Sequence, residues 1–127
     1  MSTTVSLTGQ LNLIDSTTGA QAFVKQFANL LFVGSATEMS QSTLLASGAN
    51  AISLPVSPVQ FLYLKNLHLS NTIAVTWTPT GGASAIVGTL EPGGSIIYIN
   101  QTTGGGITAL NLNASGASTG VEFLLVG

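Results

Sequence analysis

The chain has 127 residues, no cysteine and a formal net charge of −2, with 5% of its residues charged, against about 25% in an ordinary soluble domain. The absence of cysteine excludes disulfides, zinc–sulfur sites and thiolate chemistry. Two lysines, Lys25 and Lys65, cannot form the cationic patch that nucleic-acid phosphates require, so nucleic acid is excluded as a partner.

From the N-terminus, "TVSLTGQLNLI" (4–14) alternates Val5, Leu7, Leu11 and Leu13 with Ser6, Thr8, Gln10 and Asn12. That pattern predicts a strand with one wet face. "DSTTG" (15–19) is a turn by residue type. The next segment, "AQAFVKQFANLLFVG" (20–34), fits two templates. Phe23, Phe27, Leu30 and Leu31 stand at helical spacing before Gly34. Yet Val, Phe and Asn are poor helix formers and turns flank the segment, which favours two short strands.

From Thr43 onward the rhythm is all-β. "TLLAS", "NAISLPV", "VQFLYLKNLHL", "TIAVTWT", "SAIVGTL", "SIIYIN", "ITALNLN" and "VEFLLVG" are short, rich in β-branched and aromatic residues, and separated by Gly-, Pro-, Asn- or Ser-containing turns. Glu91-Pro92-Gly93 suits a type II turn, with Pro setting φ and Gly taking the positive φ. Strands recurring every 8–12 residues predict a sandwich or barrel. The expectation is an all-β fold, a two-sheet β-sandwich of jelly-roll type with about 8–10 short antiparallel strands. No linker splits residues 1–127, so one domain is expected, with residues 1–50 as an extension or arm packing on the sandwich or on a neighbour.

Three strands are apolar on both faces: "FLYL" (61–64), "IIYI" (96–99) and "FLLV" (123–126). The outer faces of a two-layer sandwich normally meet water, and covering a Leu, Ile or Phe is worth roughly 1.5–3 kcal/mol. With so little charge to keep copies apart, the surplus face is expected to be covered by a neighbouring subunit. Leu62, Leu64, Ile96, Tyr98, Leu124 and Val126 are the candidate subunit-interface residues, and the chain is expected to form a homo-oligomer, a trimer or ring.

Catalytic, metal and cofactor sites are not expected. His68, the single histidine, reads as a solvated strand position rather than the base of a Ser–His–Asp triad. The acids show no ligand spacing for Zn or Ca. The runs "TGGAS" and "TTGGGIT" lack the lysine of a phosphate-binding loop and read as hairpin loops. Exposed Trp77, Tyr63 and Tyr98 would suit a carbohydrate-binding module; Trp77 alternates with Ile73 and Val75, which favours core packing instead. The start "MSTTVSLTGQ" has neither a basic n-region nor an apolar h-region, and no apolar run approaches the ~18 residues that span a bilayer. A chain made and used in a cytoplasm, without a membrane, is expected.

The order of motifs "LTGQLNLIDSTTG", "FVKQFANLLFVG", "FLYLKNLHLSNTIAVTW", "LEPGGSIIYIN" and "GVEFLLVG" resembles small all-β structural proteins of tailed bacteriophages. In those proteins a K-N-L sequence begins a hairpin and L-x-P-G leads into the next sheet strand. Lys65, Asn66 and Leu67, and Leu90, Pro92 and Gly93, occupy those places here. The resemblance implies a virion component, such as capsid decoration (cement) or a tail or neck protein. It implies as partners copies of the chain and other virion proteins such as a major capsid protein, and it supplies no catalytic residues.

Overall fold

A computed structural model describes residues 2–14, 16–35, 38–54, 57–100, 102 and 104–127, without the side chains of 2–7, 11–14 and 22–40. Ten strands are present: β1 (Ser2–Ile14), β2 (Gln21–Ser35), β3 (Glu38–Leu45), β4 (Gly48–Ile52), β5 (Phe61–Asn66), β6 (Ile73–Pro79), β7 (Ala85–Leu90), β8 (Ser95–Ile99), β9 (Ile107–Ala114) and β10 (Thr119–Val126). Among the described residues there is no helix. The all-β expectation and the strand count therefore hold.

The segment at 20–34 resolves as one long strand, neither a helix nor two short strands. Its irregular spacing has a physical cause. β1 and β2 pair antiparallel with a register shift between Leu7↔Leu30 and Gly9↔Phe27, so β2 carries one extra residue there. Such a bulge re-phases the alternation. Phe23 and Phe27, then Leu30 and Phe32, thereby stand opposite Leu13, Gly9, Leu7 and Val5 in register.

β3 pairs with β10, β4 with β9, β5 with β8 and β6 with β7. Strands β3 to β6 and strands β7 to β10 thus form the two legs of one long antiparallel ribbon. The ribbon rolls up because β10 also pairs with β5, and β9 with β6. Two four-stranded sheets result, in the orders β3-β10-β5-β8 and β4-β9-β6-β7, while β1 and β2 form a separate two-stranded sheet. β5 and β6 lie in different sheets, so "FLYLKNLHLSNTIAVTW" is a crossing between layers and not a hairpin.

The two sheets enclose one core. Leu45, Leu62, Leu64, Val121, Phe123 and Leu125 come from the first sheet; Ile73, Val75, Leu90, Leu110, Leu112 and Ala114 come from the second. This is a β-sandwich. Trp77 and Tyr98 close one side of it, with ring centroids 5.0 Å apart and planes tilted by 59°. At Glu91–Gly94 the expected turn is present: Gly93 has φ 76° and the Gly94 amide donates to the Glu91 carbonyl at 2.8 Å.

The corner where the ribbon crosses between layers rests on Asn66, which is fully buried at the end of β5. Its Nδ2 donates to the carbonyls of Asn71 (2.8 Å), Leu90 (3.1 Å) and Glu91 (3.2 Å), and its Oδ1 accepts from the His68 amide (3.0 Å). One side chain thereby ties β5, the 67–72 loop and the β7–β8 turn together. Replacement Asn66→Ala leaves buried carbonyls without their donor, a cost of about 1–3 kcal/mol. The expected result is a lower urea midpoint with an unchanged slope.

Candidate assembly surface

The outer faces of the two sheets differ in chemistry. On β4-β9-β6-β7 the register aligns Ala49, Asn113, Ala74 and Thr89 in one row and Ala51, Asn111, Thr76 and Ile86 in the next. Small residues, amides and hydroxyls dominate, and Ile86, 72% exposed on edge strand β7, is the exception. A shallow depression there is lined by Ala51, Thr76, Thr78, Ser84, Ala109 and Asn111. Water can solvate such a face without a cover.

On β3-β10-β5-β8 the rows are apolar over β10, β5 and β8, while Glu38 and Ser40 of β3 stand opposite Val126 and Leu124. Val126, Phe61 and Ile99 form one; Leu124, Tyr63 and Ile97 form the next. Phe61 and Val126 are buried together, and Tyr63, Ile99 and Leu124 pack around them half-buried. Ile97 remains 47% exposed at the β8 edge. Glu122, Lys65 and Ser95 make a polar row. Beyond it Gly120 lies between Leu67 and Leu44, the latter 69% exposed. A groove of about 360 Å³ opens there, lined by Ser42, Thr43, Leu44, Leu67, His68, Ser118 and Gly120.

The six candidate interface residues divide between the two faces of this sheet. Leu62 and Leu64 are fully buried in the core between the sheets, and their cross-strand partners Tyr98 and Ile96 pack half-buried against that core. These four therefore do not lie on a surplus face. Leu124 and Val126 do lie on the outer face, with Val126 already buried against Phe61. The error is one of parity: both faces of "FLYL" are apolar, and a shift by one residue exchanges inside and outside. Phe61, Tyr63, Ile97, Ile99, Leu44 and Leu67 were missed. Lys65 carried the signal, because a charge is costlier to bury than the amide of Asn66, so 61-63-65 is the outer set. Glu122 marks Leu124 and Val126 in the same way.

His68 is not a strand residue. It lies half-buried in the loop after β5, where its Nδ1 accepts from the amides of Asn71 (2.8 Å) and Ser70 (3.1 Å). That lone pair is used in shaping a turn. Asn71 Nδ2 in turn donates to Thr119 Oγ1 (3.0 Å), and Thr119 Oγ1 donates to the Gly116 carbonyl (2.8 Å). No group of three or more His, Cys, Asp or Glu suited to a metal ion occurs among the described residues. Nor, among them, is any helix long and apolar enough to cross a membrane.

The three aromatics do not make one platform. Trp77 and Tyr98 face the core, and Tyr98 Oη accepts from Asn100 Nδ2 at 3.1 Å. Tyr63 stands on the opposite side of its sheet, donating to Glu122 Oε1 at 3.1 Å. Desolvation, then the hydrogen bond and charge of Glu122, hold the Tyr63 pKa above the ordinary tyrosine value of 10.0. A raised pKa in the fold means that the contribution is complete below pH about 10 and is lost as pH rises through the folded value. Tyr63→Phe should cost about 0.5–1 kcal/mol at pH 8, given the half-exposed pair. The variant should also lose less stability than the parent between pH 8 and 11 in urea titrations.

No protein-family model, curated protein or solved structure matches the chain.

Proposed function

We propose that the chain is a non-enzymatic structural subunit that self-associates through the outer face of the β3-β10-β5-β8 sheet. One observation carries this reading: Phe61, Tyr63, Ile97, Ile99, Leu124 and Val126 gather on one sheet's outer face, while the other sheet's outer face is made of Ala, Asn and Thr apart from the exposed Ile86. A patch of that kind marks an interaction site. A chain with 5% charged residues has little electrostatic barrier to meeting its own copies.

The finer reading is a jelly-roll subunit of a tailed-phage particle, used as capsid decoration or cement or as a tail-associated protein, and contacting other virion proteins such as a major capsid protein. The rolled ribbon, with its four successive pairings and its β10–β5 and β9–β6 closures, supports the jelly-roll assignment, an architecture found in viral capsid and lectin domains. The motif order of the sequence supports the particle. A sugar-binding sandwich is disfavoured, since Trp77 and Tyr98 pack against the core.

The test is the mass in solution across a dilution series, by light scattering. The parent should form a defined oligomer. Ile97→Asp, on the exposed β8 edge, should dissociate at least tenfold more readily, which corresponds to about 1.4 kcal/mol. Asn113→Asp, which adds the same charge on the exposed polar sheet face, should leave the mass unchanged. A parent that stays monomeric at high concentration overturns the reading.

A further inference from the structure

Two loops meet at the Asn66 end of the sandwich, 67–72 between β5 and β6 and 115–118 between β9 and β10. Backbone and side chains tie one to the other. The Thr72 amide donates to Ser115 Oγ (2.9 Å), and the Ser115 amide donates to the Thr72 carbonyl (3.0 Å). Asn71 Nδ2 reaches Thr119 Oγ1, at the start of β10, at 3.0 Å. Asn71 and Thr72 thus carry the junction, and His68 holds Asn71 in place.

The His68 ring folds back on its own loop. Its Nδ1 lies 2.8 Å from the Asn71 amide nitrogen and 3.1 Å from that of Ser70. A backbone amide only donates, so the ring nitrogen facing both is bare, and the neutral ring carries its hydrogen on Nε2. A proton taken up by this ring goes to Nδ1, its one open lone pair. The acceptor of two bonds then becomes a donor aimed at two donors, and both bonds are lost.

A carboxylate beside the ring would offset that loss. The groove around His68 is lined instead by Ser42, Thr43 and Leu44 of β3, by Leu67, and by Ser118 and Gly120, none of which titrates. Lys65 and Glu122 stand opposite one another in the polar row of the sheet, where their charges cancel. Glu91 meets the corner through its backbone carbonyl. The core behind the loops contains Ile73, Val75, Leu112 and Ala114, which do not respond to protons.

We propose that His68 is a proton-operated latch. Neutral, it holds the 67–72 loop against the 115–118 loop; protonated, it releases both while the sandwich core stays closed. The latch acts within one chain and does not depend on self-association.

The test uses the full chain labelled with 15N. At pH about 7.5 the imidazole nitrogens of His68 should report a single neutral tautomer with the hydrogen on Nε2. A ring carrying its hydrogen on Nδ1 at that pH overturns the proposal. Amide exchange is then measured at pH about 7.5 and about 5.5, each against the intrinsic rate at that pH. Protection at the Ser70 and Asn71 amides should fall about tenfold or more on acidification, with Val75 and Leu112 in the central strands unchanged. Equal protection of Ser70 and Asn71 at both pH values, or a parallel loss throughout the core, overturns the latch. His68→Ala, which offers no acceptor at either pH, should show the low protection at both. A His68→Ala chain that keeps the parent's pH dependence also overturns it, and if that variant does not fold, the two measurements on the parent decide.

Discussion

The antiparallel pairing of β5 with β10 organises everything else in this molecule. It joins Phe61 to Val126 and Asn66 to Val121, so segments about 60 residues apart must meet before either sheet can close. Loop-closure entropy opposes such a contact, and the gain comes only when apolar area is buried along it. The pairing rewards that meeting twice. On its inner side Leu62, Leu64, Phe123 and Leu125 enter the core. On its outer side Phe61 and Val126 bury one another, with Tyr63 and Leu124 beside them. A central pair apolar on both sides stabilises the ribbon's closure, and the same chemistry leaves an apolar stripe facing outward.

The polar corner is the complement of that pair. In a chain with so few charges, amides fix the crossing. Asn66 bonds to three carbonyls and one amide, and His68 and Asn71 continue the network to Thr119 on β10. Buried amides fully paired in this way are directional where apolar packing is not. They set the register at which β5 leaves the sheet, and hence which of its faces points inward. Gly116 belongs to the same arrangement, since a Cβ there would stand 2.7 Å from Asn71 Nδ2.

Fold class, strand count and the type II turn at Glu91–Gly94 were legible in the sequence because each is local: alternation, β-branched runs and turn chemistry act over a few residues. Parity and pairing were not. "FLYL" offers Phe61 and Tyr63 on one side and Leu62 and Leu64 on the other, and apolarity alone does not rank them. Lys65 and Glu122 do rank them, but only once each is seen as opposite the other in register. The 20–34 segment looked helical for a related reason. The bulge at the Leu7/Gly9 step shifts β2 by one residue, and the resulting spacing of Phe27 and Leu30 imitates a helical period. His68 was misplaced because β5 ends at Asn66, at hydrogen bonds made to carbonyls 24 and 25 residues away, which no window along the chain contains.

The edges of the two sheets are built in a way that discourages strand pairing. Exposed sheet edges invite uncontrolled pairing, and charged side chains are a common deterrent. This chain has almost none to spend there. Two of its edge strands, β4 and β8, are five residues long. β7 carries a bulge at Val87, since Gly88 and Ile86 face the consecutive residues Val75 and Thr76. Short and bulged edges make poor templates for another strand. The β3 edge is continuous in sequence with the β1–β2 hairpin, two residues after β2 ends. Apolar side chains outside the core collect instead on the outer face of β10, β5 and β8, around Phe61 and Val126.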